Sequence, residues 1–347
     1  MGIKKGSPDI KKEAVEKVAF KNEKVLVTGA GGFIGSHLAE HLAKQGAHVR
    51  AFVRYNSRDD RGLIECLPGE IQDAVEICWG DLRDTESVFR AVKGCSVVFH
   101  LGALIAIPYS YVNPADYVQT NVLGTTHVLN ACMEYGVEKV IHTSTSEVYG
   151  TARYVPINEE HPLQGQSPYS ASKIGADMVA ISFYRSFKLP VAIIRPFNTY
   201  GPRQSMRAII PTIITQALNS GQVRLGSLHP TRDLSFVHDT VRGFIRMAQC
   251  PAAVGKVINV GAGKEISIGD LVKKIGSLMK KEIVVTHESS RVRPEKSEVE
   301  RLLCDNTRAS EILAWEPRMN LDEGLSRTIE WVEQNLGRFR RVAQYII

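Results

Sequence analysis

The 347-residue chain lacks the features of several specialised protein classes. Its six cysteines, at positions 66, 78, 95, 132, 250 and 304, form no C-x-x-C pair, and its histidines do not cluster, so neither a disulfide framework nor a metal site is indicated. Apolar runs such as 101–107 are far too short to cross a membrane, and no apolar signal segment follows Met1. We therefore expect a cytoplasmic protein with reduced thiols, no metal and no membrane partner.

The part of the chain between its two ends also lacks an excess of basic residues. Its formal net charge of +6 comes from two ends: residues 1–24 hold seven Lys against four acidic residues, and residues 338–347 hold three Arg and no acid. The remaining residues carry 33 basic and 33 acidic side chains. A neutral body argues against a nucleic-acid partner. Hydrophobic residues at 44% and charged residues at 23% are typical of globular proteins, and the length is sufficient for about two domains.

Short β-branched runs alternate with longer helical patterns from residue 24 onward, which is typical of βαβ units in a parallel sheet. This rhythm predicts an α/β fold with a doubly wound parallel sheet of the Rossmann type and a smaller C-terminal substrate-binding lobe. The predicted strands are 24–28, 48–53, 75–79, 96–100, 139–144 and 190–195. The predicted helices are 33–45, 84–93, 115–135 and 168–188.

The change of rhythm after Pro196 predicts the domain boundaries. Residues 1–21 form a charged N-terminal extension, and 22–195 form a dinucleotide-binding domain to which segments near 235–263 return. The smaller lobe comprises mainly 196–336, and 337–347 form a basic tail. The strands predicted after Pro196 are 222–225, 256–260 and 283–287.

The strongest motif is glycine-rich and follows the first strand. Gly29, Gly32 and Gly35 stand where the strand turns into the first helix, and Phe33 and Ile34 lie in the first helical turn. Glycine allows a tight turn and a close approach of the backbone to a pyrophosphate, and the helix N-terminus offers N–H groups to the anion. The motif predicts a dinucleotide site; a glycine turn without ligand is the alternative.

The end of the second strand is expected to select the dinucleotide. No carboxylate stands there; Arg54, Asn56, Ser57 and Arg58 do, which favours NADP over NAD because Arg accommodates a 2′-phosphate. Stacking of Arg54 on the adenine of NAD is the alternative. Asp81, after the third strand, is placed to contact the adenine amino group; a turn-forming Asp ahead of the helix that starts near 84 is the alternative.

A catalytic set follows. Tyr169 and Lys173 lie one helical turn apart, and Thr145 ends the preceding strand. A phenol of ordinary pKa near 10 acts as a base at neutral pH only when a cation stabilises its anion, which the lysine supplies. Tyr-x-x-x-Lys alone is a weak signal, and exposed helix residues are the alternative. The order of glycine turn, threonine and Tyr-x-x-x-Lys indicates catalysis.

In this combination the chain resembles the extended short-chain dehydrogenase/reductase superfamily, the NAD(P)-dependent nucleotide-sugar epimerases and dehydratases, over residues 24–336. Further matching motifs lie at 100–103, 120–125, 195–202, 232–233, 237–239 and 293–295. The resemblance implies a homodimer that pairs the helices 115–135 and 168–188 across a two-fold axis. It implies cofactor contacts from Leu82, Leu101, Ala103 and Asn121, and substrate contacts from Asn198, Arg232 and Arg293.

The segment Thr145–Ser146–Glu147 indicates the branch of the superfamily. It resembles the triplet of 4,6-dehydratases, in which the carboxylate removes the C5 proton once C4 is a ketone and water leaves from C6. A 4-epimerase usually carries small or neutral residues there. The same triplet occurs in UDP-glucuronate decarboxylases, and a surface glutamate without a catalytic role is the bland alternative for Glu147.

The segment 105–111, expected as a loop over the sugar with Tyr109 at the substrate, is apolar and aromatic and favours a neutral hexose over a uronic acid. The pattern most resembles bacterial dehydratases that act on UDP- or GDP-N-acetylglucosamine on the way to legionaminic-acid-type surface sugars. We therefore predict such a 4,6-dehydratase with tightly bound NAD(P). A 4-epimerase, a decarboxylase and a non-catalytic NAD(P)-binding module are the alternatives; such modules usually lack the Tyr or the Lys.

Overall fold

The computed structural model describes residues 20–338 except residue 293. Its strands are β1 (Lys24–Thr28), β2 (His48–Arg54), β3 (Glu76–Gly80), β4 (Val97–His100), β5 (Lys139–Thr143), β6 (Val191–Pro196), β7 (Asn198–Tyr200), β8 (Gln222–Leu225), β9 (Thr231–Phe236), β10 (Val257–Val260), β11 (Glu265–Ser267) and β12 (Val284–His287). The predicted N-terminal extension and basic tail lie almost entirely outside the described residues.

The α-helices connect these strands on both faces of the sheet. They are α1 (Phe33–Lys44), α2 (Gly69–Ala74), α3 (Thr85–Val92), α4 (Ile107–Val112), α5 (Pro114–Tyr117), α6 (Gly124–Glu134), α7 (Pro168–Phe187), α8 (Ile209–Asn219), α9 (Val237–Gln249), α10 (Ile268–Met279), α11 (Thr307–Leu313) and α12 (Leu321–Gln334). A π-helical turn, Val118–Leu123, joins α5 to α6.

The main sheet has seven parallel strands in the order β10-β6-β5-β4-β1-β2-β3. Its central strands are apolar and buried, as covering helices on both faces require, and they pack into two large hydrophobic clusters. This architecture confirms the predicted Rossmann-type fold class, and the first six predicted strands lie within two residues of the observed ones.

The strand order reverses at β1, which pairs with β2 on one side and with β4 on the other. At such a reversal the connecting helices leave the sheet on opposite faces, and a crevice opens at the carboxyl ends of the strands. The glycine turn after Thr28 and the segment after His100 border this crevice.

Smaller sheets extend the molecule beyond β6. One has the order β11-β9-β7, and the other consists of β12 and β8. Strand β10 returns to the main sheet, where Val257–Val260 pair with residues 193–196 of β6. The carboxyl end of the main sheet thereby lies beside segments that come from the C-terminal part of the chain.

Two segments differ from the sequence-based expectation. The predicted continuous helix 115–135 is interrupted by the π-helical turn Val118–Leu123, whose extra residue per turn no hydrophobic pattern indicates. The predicted loop 105–111 is largely the helix α4, because Pro108 suits a first helical turn and the Ser110 hydroxyl donates to the Ile107 carbonyl at 2.6 Å.

Candidate active site

The turn between β1 and α1 has room only for glycine at two positions. Gly29 has φ +70°, and a Cβ there would lie 2.8 Å from the Gly102 nitrogen. A Cβ on Gly35 would overlap the Gly29 carbonyl oxygen, which also accepts the Gly32 N–H at 2.9 Å. The chain after β4 and the first turn of α1 therefore both approach the glycine backbone closely.

The start of α1 is open to an anion. Gly32 caps the helix without a side-chain hydrogen bond, so the N–H groups of Phe33 and Ile34 point out of the helix end. The first turn also lacks an acidic residue that would repel phosphate. A close-packed glycine turn that leads into a helix N-terminus without a side-chain cap fits the pyrophosphate of a dinucleotide.

The other wall of this crevice is fixed by Asn121 on the π-helical turn. Its Oδ1 accepts the Leu104 N–H at 2.8 Å, and its Nδ2 donates to the Leu104 carbonyl and to Ser172 Oγ, both at 2.9 Å. Asn121 thus holds the segment of Leu101 and Ala103 against α7. Leu82 packs beneath Gly102, where a Cβ would lie 2.8 Å from Leu82 Cδ1.

The predicted cofactor-selecting residues after β2 are solvent-exposed or engaged within their own loop. The Arg54 side chain is 71% exposed, and its Nε lies 3.9 Å from Asp81 Oδ2. Asn56 Oδ1 accepts the N–H groups of Arg58 and Asp60, both at 3.1 Å, so Asn56 shapes the loop.

Ser57 and Arg58 are exposed. Asp81 also pairs with Arg83 at 2.7 Å, and this hydrogen bond lowers the pKa of the Asp81 carboxyl. The Asp81 carboxylate is therefore an ion-paired group at the rim of the crevice. Its partner, Arg83, lies between it and Asp116, whose Oδ1 it contacts at 3.2 Å.

The start of α7 places Tyr169 and Lys173. Ser167 and Ser170 form a reciprocal capping box, and Pro168 fits the first helical position. Tyr169 shares a hydrogen bond with Thr145, which follows β5. Lys173 Nζ donates to the Thr143 carbonyl at 2.6 Å. The three predicted catalytic residues are therefore brought together between the end of β5 and the first turns of α7.

The electrostatics of this set depend on burial. Burial raises the pKa of the Tyr169 phenol, the Glu147 charge raises it further, and the hydrogen bond with Thr145 opposes the rise. Burial lowers the pKa of Lys173 to about 8, against the attraction of Asp177. An added positive charge beside Tyr169, such as that of an oxidised nicotinamide, would favour the phenolate.

Ser146 and Glu147 begin a short 3₁₀ helix, Ser146–Tyr149, directly after Thr145. Ser146 is buried, whereas Glu147 is half-buried, and the Glu147 N–H donates to Thr145 Oγ1 at 3.2 Å. The carboxylate therefore belongs to the same cluster as Tyr169, on which its charge acts.

An aromatic group covers Tyr169. The Tyr117 and Tyr169 ring centroids lie 6.3 Å apart, and those of Tyr109 and Tyr117 lie 6.1 Å apart. Burial and Tyr109 raise the pKa of Tyr117 to about 12, and the nearby charge of Arg207 opposes this rise. Arg207 is a cation near the aromatic group that sequence reasoning missed, since it precedes α8 and is distant in sequence.

The predicted substrate residues on the C-terminal side include a buried ion pair. Arg232 Nη2 contacts Glu298 Oε1 at 3.2 Å, and the two side chains are 10% and 14% exposed. Asn198 Oδ1 is buried and has no hydrogen-bond partner among the described residues. Arg293 lies outside the described residues. Glu298 was not predicted, because a tertiary pair separated by 66 positions leaves no local pattern.

A hydrogen-bonded chain joins α4 to the C-terminal segment. Tyr111 Oη lies 2.6 Å from Ser297 Oγ, and Ser297 Oγ donates to the Gln166 carbonyl at 2.6 Å. Gln166 immediately precedes the cap of α7. Three separate segments thus meet at the edge of the site.

A buried polar network lies beneath the catalytic set. Asp177 is fully buried one turn beyond Lys173, and it accepts hydrogen bonds from Ser144, His142 and Arg195. Sequence reasoning missed Asp177, although the spacing of four between Tyr169, Lys173 and Asp177 could have indicated one helix face.

Other kinds of site have little support. Within residues 20–338, apart from 293, no group of three or more His, Cys, Asp or Glu side chains could hold a metal ion. No helix of the described chain is long and apolar enough to traverse a bilayer.

Comparison with known proteins gives the family. The family model described as GDP-mannose 4,6 dehydratase matches residues 26–328. The chain is 33% identical over 314 residues to a dTDP-glucose 4,6-dehydratase of Streptomyces antibioticus, covering 90% of this chain and 92% of the relative. It is 35% identical over 316 residues to a UDP-glucose 4-epimerase of Mycolicibacterium smegmatis, covering 89% and 98%.

Among solved structures, the dTDP-glucose 4,6-dehydratase DesIV of Streptomyces venezuelae, with NAD and TYD bound, superposes with a TM-score of 0.80. It is 28% identical, and the match covers 91% of this chain and 98% of that chain. The chain belongs to the extended short-chain dehydrogenase/reductase family of NAD-dependent nucleotide-sugar 4,6-dehydratases and epimerases.

Proposed function

We propose that the protein is a nucleotide-sugar 4,6-dehydratase that converts UDP- or GDP-N-acetylglucosamine to the 4-keto-6-deoxy sugar nucleotide. Its relatives include both dehydratases and 4-epimerases at similar identity, so the choice depends on the chain's own residues. Glu147 is the observation that carries the proposal. Its half-buried carboxylate stands two residues after Thr145, and its charge raises the pKa of the Tyr169 phenol, so it lies close to the proposed catalytic tyrosine. A 4-epimerase needs no carboxylate base at this position.

The first step in this proposal is oxidation at C4. The Lys173 ammonium stabilises Tyr169 as its phenolate. This phenolate takes the proton of the C4 hydroxyl with the help of Thr145 and becomes the neutral phenol. The bound nicotinamide supplies hydride acceptance from C4, hydride return to C6 and a positive charge that favours the phenolate. The buried position of Tyr169 excludes water from this proton transfer.

The second step is elimination. The C4 ketone acidifies the C5 hydrogen, and Glu147 removes that proton and passes it to the C6 oxygen, which leaves as water; we assign the neighbouring Ser146 hydroxyl to assist this departure. When hydride returns to C6, C5 takes up one proton, which balances the proton that Tyr169 took from the C4 hydroxyl, so only water is lost. The first step serves dehydratases and epimerases alike; the second separates them.

The cofactor is a nicotinamide adenine dinucleotide held by the glycine turn and the α1 N-terminus. The exposed Arg54 and Arg58 keep NADP as our prediction for the phosphorylation state, while NAD in the solved relative supports the alternative. A direct comparison of NAD and NADP binding to Arg54→Ala and the unaltered protein distinguishes them: only NADP is expected to lose affinity in the variant.

The decisive experiment is product analysis by mass spectrometry. The purified protein is incubated with UDP- and GDP-N-acetylglucosamine and, in parallel, with UDP-glucuronate. Loss of one water from either amino-sugar nucleotide supports the proposal and identifies the nucleotide. A change of C4 configuration without a change of mass would move the function to epimerase, and loss of carbon dioxide from the uronate would move it to decarboxylase.

The variant Glu147→Gln tests the assigned role, because it removes the base and preserves the side-chain shape. We expect reduced nicotinamide to accumulate and water loss to stop. Glu311→Gln, an exposed carboxylate on α11 outside the α6 and α7 faces, is the matched control and retains full activity. Unchanged water loss in Glu147→Gln would refute the role.

A uronate-directed reaction is the second candidate, because Arg207 lies near the aromatic group and could pair with a C6 carboxylate. Under this alternative, Arg207→Gln lowers turnover of UDP-glucuronate and spares that of a neutral amino-sugar nucleotide. The apolar segment 105–111 favours the neutral sugar.

We also propose that the protein is a homodimer that pairs the α6 and α7 faces of two copies. Large apolar side chains on and beside these helices are exposed, with fractions of 54% for Val118, 46% for Leu123, 44% for Met178 and 56% for Phe187. Such a patch is typical of an interface. A monomeric mass by light scattering would contradict this proposal.

A further inference from the structure

Asp177 is a carboxylate without any exposed surface in the interior of α7. Its Oδ2 accepts hydrogen bonds from Ser144 Oγ at 2.6 Å and from Arg195 Nη2 at 2.9 Å, and its Oδ1 lies 3.2 Å from His142 Nε2. A buried carboxylate is costly unless every oxygen is paired, and here both oxygens are. The Asp177 carboxylate is therefore stabilised in the protein interior by its hydrogen-bond partners.

One partner of Asp177, Ser144, lies between two residues that contact the proposed catalytic side chains. Ser144 stands between Thr143, whose carbonyl accepts the Lys173 ammonium, and Thr145, whose hydroxyl contacts Tyr169. A carboxylate that binds Ser144 therefore fixes the end of β5 against α7, the helix that carries Tyr169 and Lys173. It does so without touching the crevice itself.

Titratable and charged groups around Lys173 and its neighbours Tyr169 and Asp177 come from five segments. On α7 itself are Tyr169 and Asp177, and after β5 is Glu147, whose charge acts on Tyr169. The remaining groups are His100 on β4, His142 on β5 and Arg195 on β6.

The two histidines and the arginine do not stabilise the ammonium. Burial lowers the pKa of both His100 and His142, so both are neutral at pH 7, and Arg195 is a cation. Burial also lowers the pKa of Lys173 to about 8, and Asp177 is the charge that opposes this fall. Removal of that anion would therefore lower the pKa of Lys173 further.

We propose that Asp177 is a positioning residue of the catalytic set: its buried carboxylate supplies the negative charge one helical turn from Lys173 on α7 and holds the Thr145-bearing end of β5 through Ser144. This inference rests on the proposed roles of Tyr169 and Lys173 in C4 oxidation. It extends them to a group that touches neither the sugar nor the cofactor. It is independent of whether elimination follows the oxidation.

The test measures the Lys173 proton directly. Protein labelled with ¹³C-lysine is titrated by NMR, with the Lys173 signal assigned from its loss in Lys173→Met. In Asp177→Asn we expect the Lys173 titration to move down by about one pH unit or more, a tenfold change in the protonated-to-neutral ratio. The alkaline limb of the pH–rate profile is expected to move down by the same amount.

Tyr149→Phe is the matched control. The Tyr149 hydroxyl accepts from Arg195 Nη1 at 2.9 Å and donates to Asn259 Oδ1 at 2.7 Å, so its loss disturbs the same network on the far side of Arg195. All charges remain in this variant, and the Lys173 titration is expected to stay at its original pH even if the melting temperature falls.

Asp177→Asn leaves Arg195 as a buried cation without its carboxylate, which can prevent folding. The double variant Asp177→Asn, Arg195→Gln removes both charges and is expected to show a downward, smaller shift of the Lys173 titration. An unchanged titration in a folded Asp177 variant would overturn the proposal. The NMR result does not depend on turnover, so a failure of the proposed dehydratase activity would be seen separately.

Discussion

The cofactor side and the substrate side of the crevice differ in how completely their polar groups are arranged. On the cofactor side, the glycine turn is close-packed and both polar atoms of the Asn121 amide are paired. On the substrate side, Arg232 faces Glu298 and Asn198 Oδ1 lacks a partner among the described residues. Under the proposed assignment of the two sides, the first arrangement would accept its ligand without rearrangement, whereas the second would gain partners from its ligand.

This difference agrees with the relatives. One fold serves both a dTDP-glucose dehydratase and a UDP-glucose epimerase at similar identity, so a shared oxidation can be combined with different nucleotides and sugars. We expect substitutions on the cofactor side to abolish function and substitutions on the substrate side to adjust it.

Removal of the Tyr169 hydroxyl gives the largest expected effect. Tyr169→Phe deletes the group that accepts the C4 proton, and we expect turnover to fall by about 10²- to 10⁴-fold. Binding of the dinucleotide, measured by calorimetry, is expected to persist. A variant with more than a tenth of the original turnover would contradict the assigned role.

An added methyl group tests the close-packed turn. In Gly35→Ala the new Cβ overlaps the Gly29 carbonyl, so we expect the free energy of unfolding to fall by about 1–3 kcal/mol and dinucleotide binding to be lost. Gly69→Ala is the control, because a Cβ at that position would meet no atom within 4 Å. Chemical denaturation and calorimetry of both variants decide the outcome.

The Arg232–Glu298 pair tests the substrate side. Arg232→Ala removes a cation suited to a diphosphate, and we expect KM for the nucleotide sugar to rise about 30-fold, equivalent to about 2 kcal/mol. Glu298→Gln removes a carboxylate that competes with the diphosphate, and we expect KM to fall. A rise of KM in both variants would show that the intact pair, and not the arginine alone, is needed.

The pH dependence follows from Lys173. Its pKa in the folded protein is lowered to about 8, so the ammonium is present below that pH and is lost as pH rises through it. We expect kcat/KM to fall by about tenfold per pH unit above 8. The measurement is a pH–rate profile at constant ionic strength, and a flat profile up to pH 10 would contradict it.

Substitution of Asn198 is expected to have the smallest effect on activity, and it distinguishes a role in substrate affinity from a role in stability. In Asn198→Leu the unpaired acceptor is replaced by an apolar group, so stability is expected to stay constant or rise by about 1 kcal/mol while KM increases. Asn259→Leu is the contrast, because both polar atoms of that amide are paired, and it is expected to be destabilised by about 1–3 kcal/mol. Thermal unfolding compares the two.

Much of the fold was predictable because the signals are local. β-Branched runs predict the strands of the sheet, and the helical pattern over 168–188 predicts the helix that carries Tyr169 and Lys173. The roles assigned to the site residues stay predictions.

The Arg232–Glu298 pair and the nearness of Arg207 to Tyr117 were not predictable, because they depend on segments that meet only after folding. Asp177 was predictable in part. The sequence shows its spacing of four from Lys173, but it does not show the hydrogen bonds that Asp177 accepts from residues at the ends of β5 and β6.

The π-helical turn Val118–Leu123 uncouples two faces of one long helical segment. An additional residue in a turn rotates everything that follows by about 100° relative to a continuous α-helix. Asn121 can therefore face the crevice, while Val128, Leu129 and Cys132 of α6 still face the core. Deleting one residue from this turn would make the helix continuous but would rotate one part of it relative to the other. Either the Asn121 amide would then turn away from the crevice, or the apolar residues of α6 would turn away from the core.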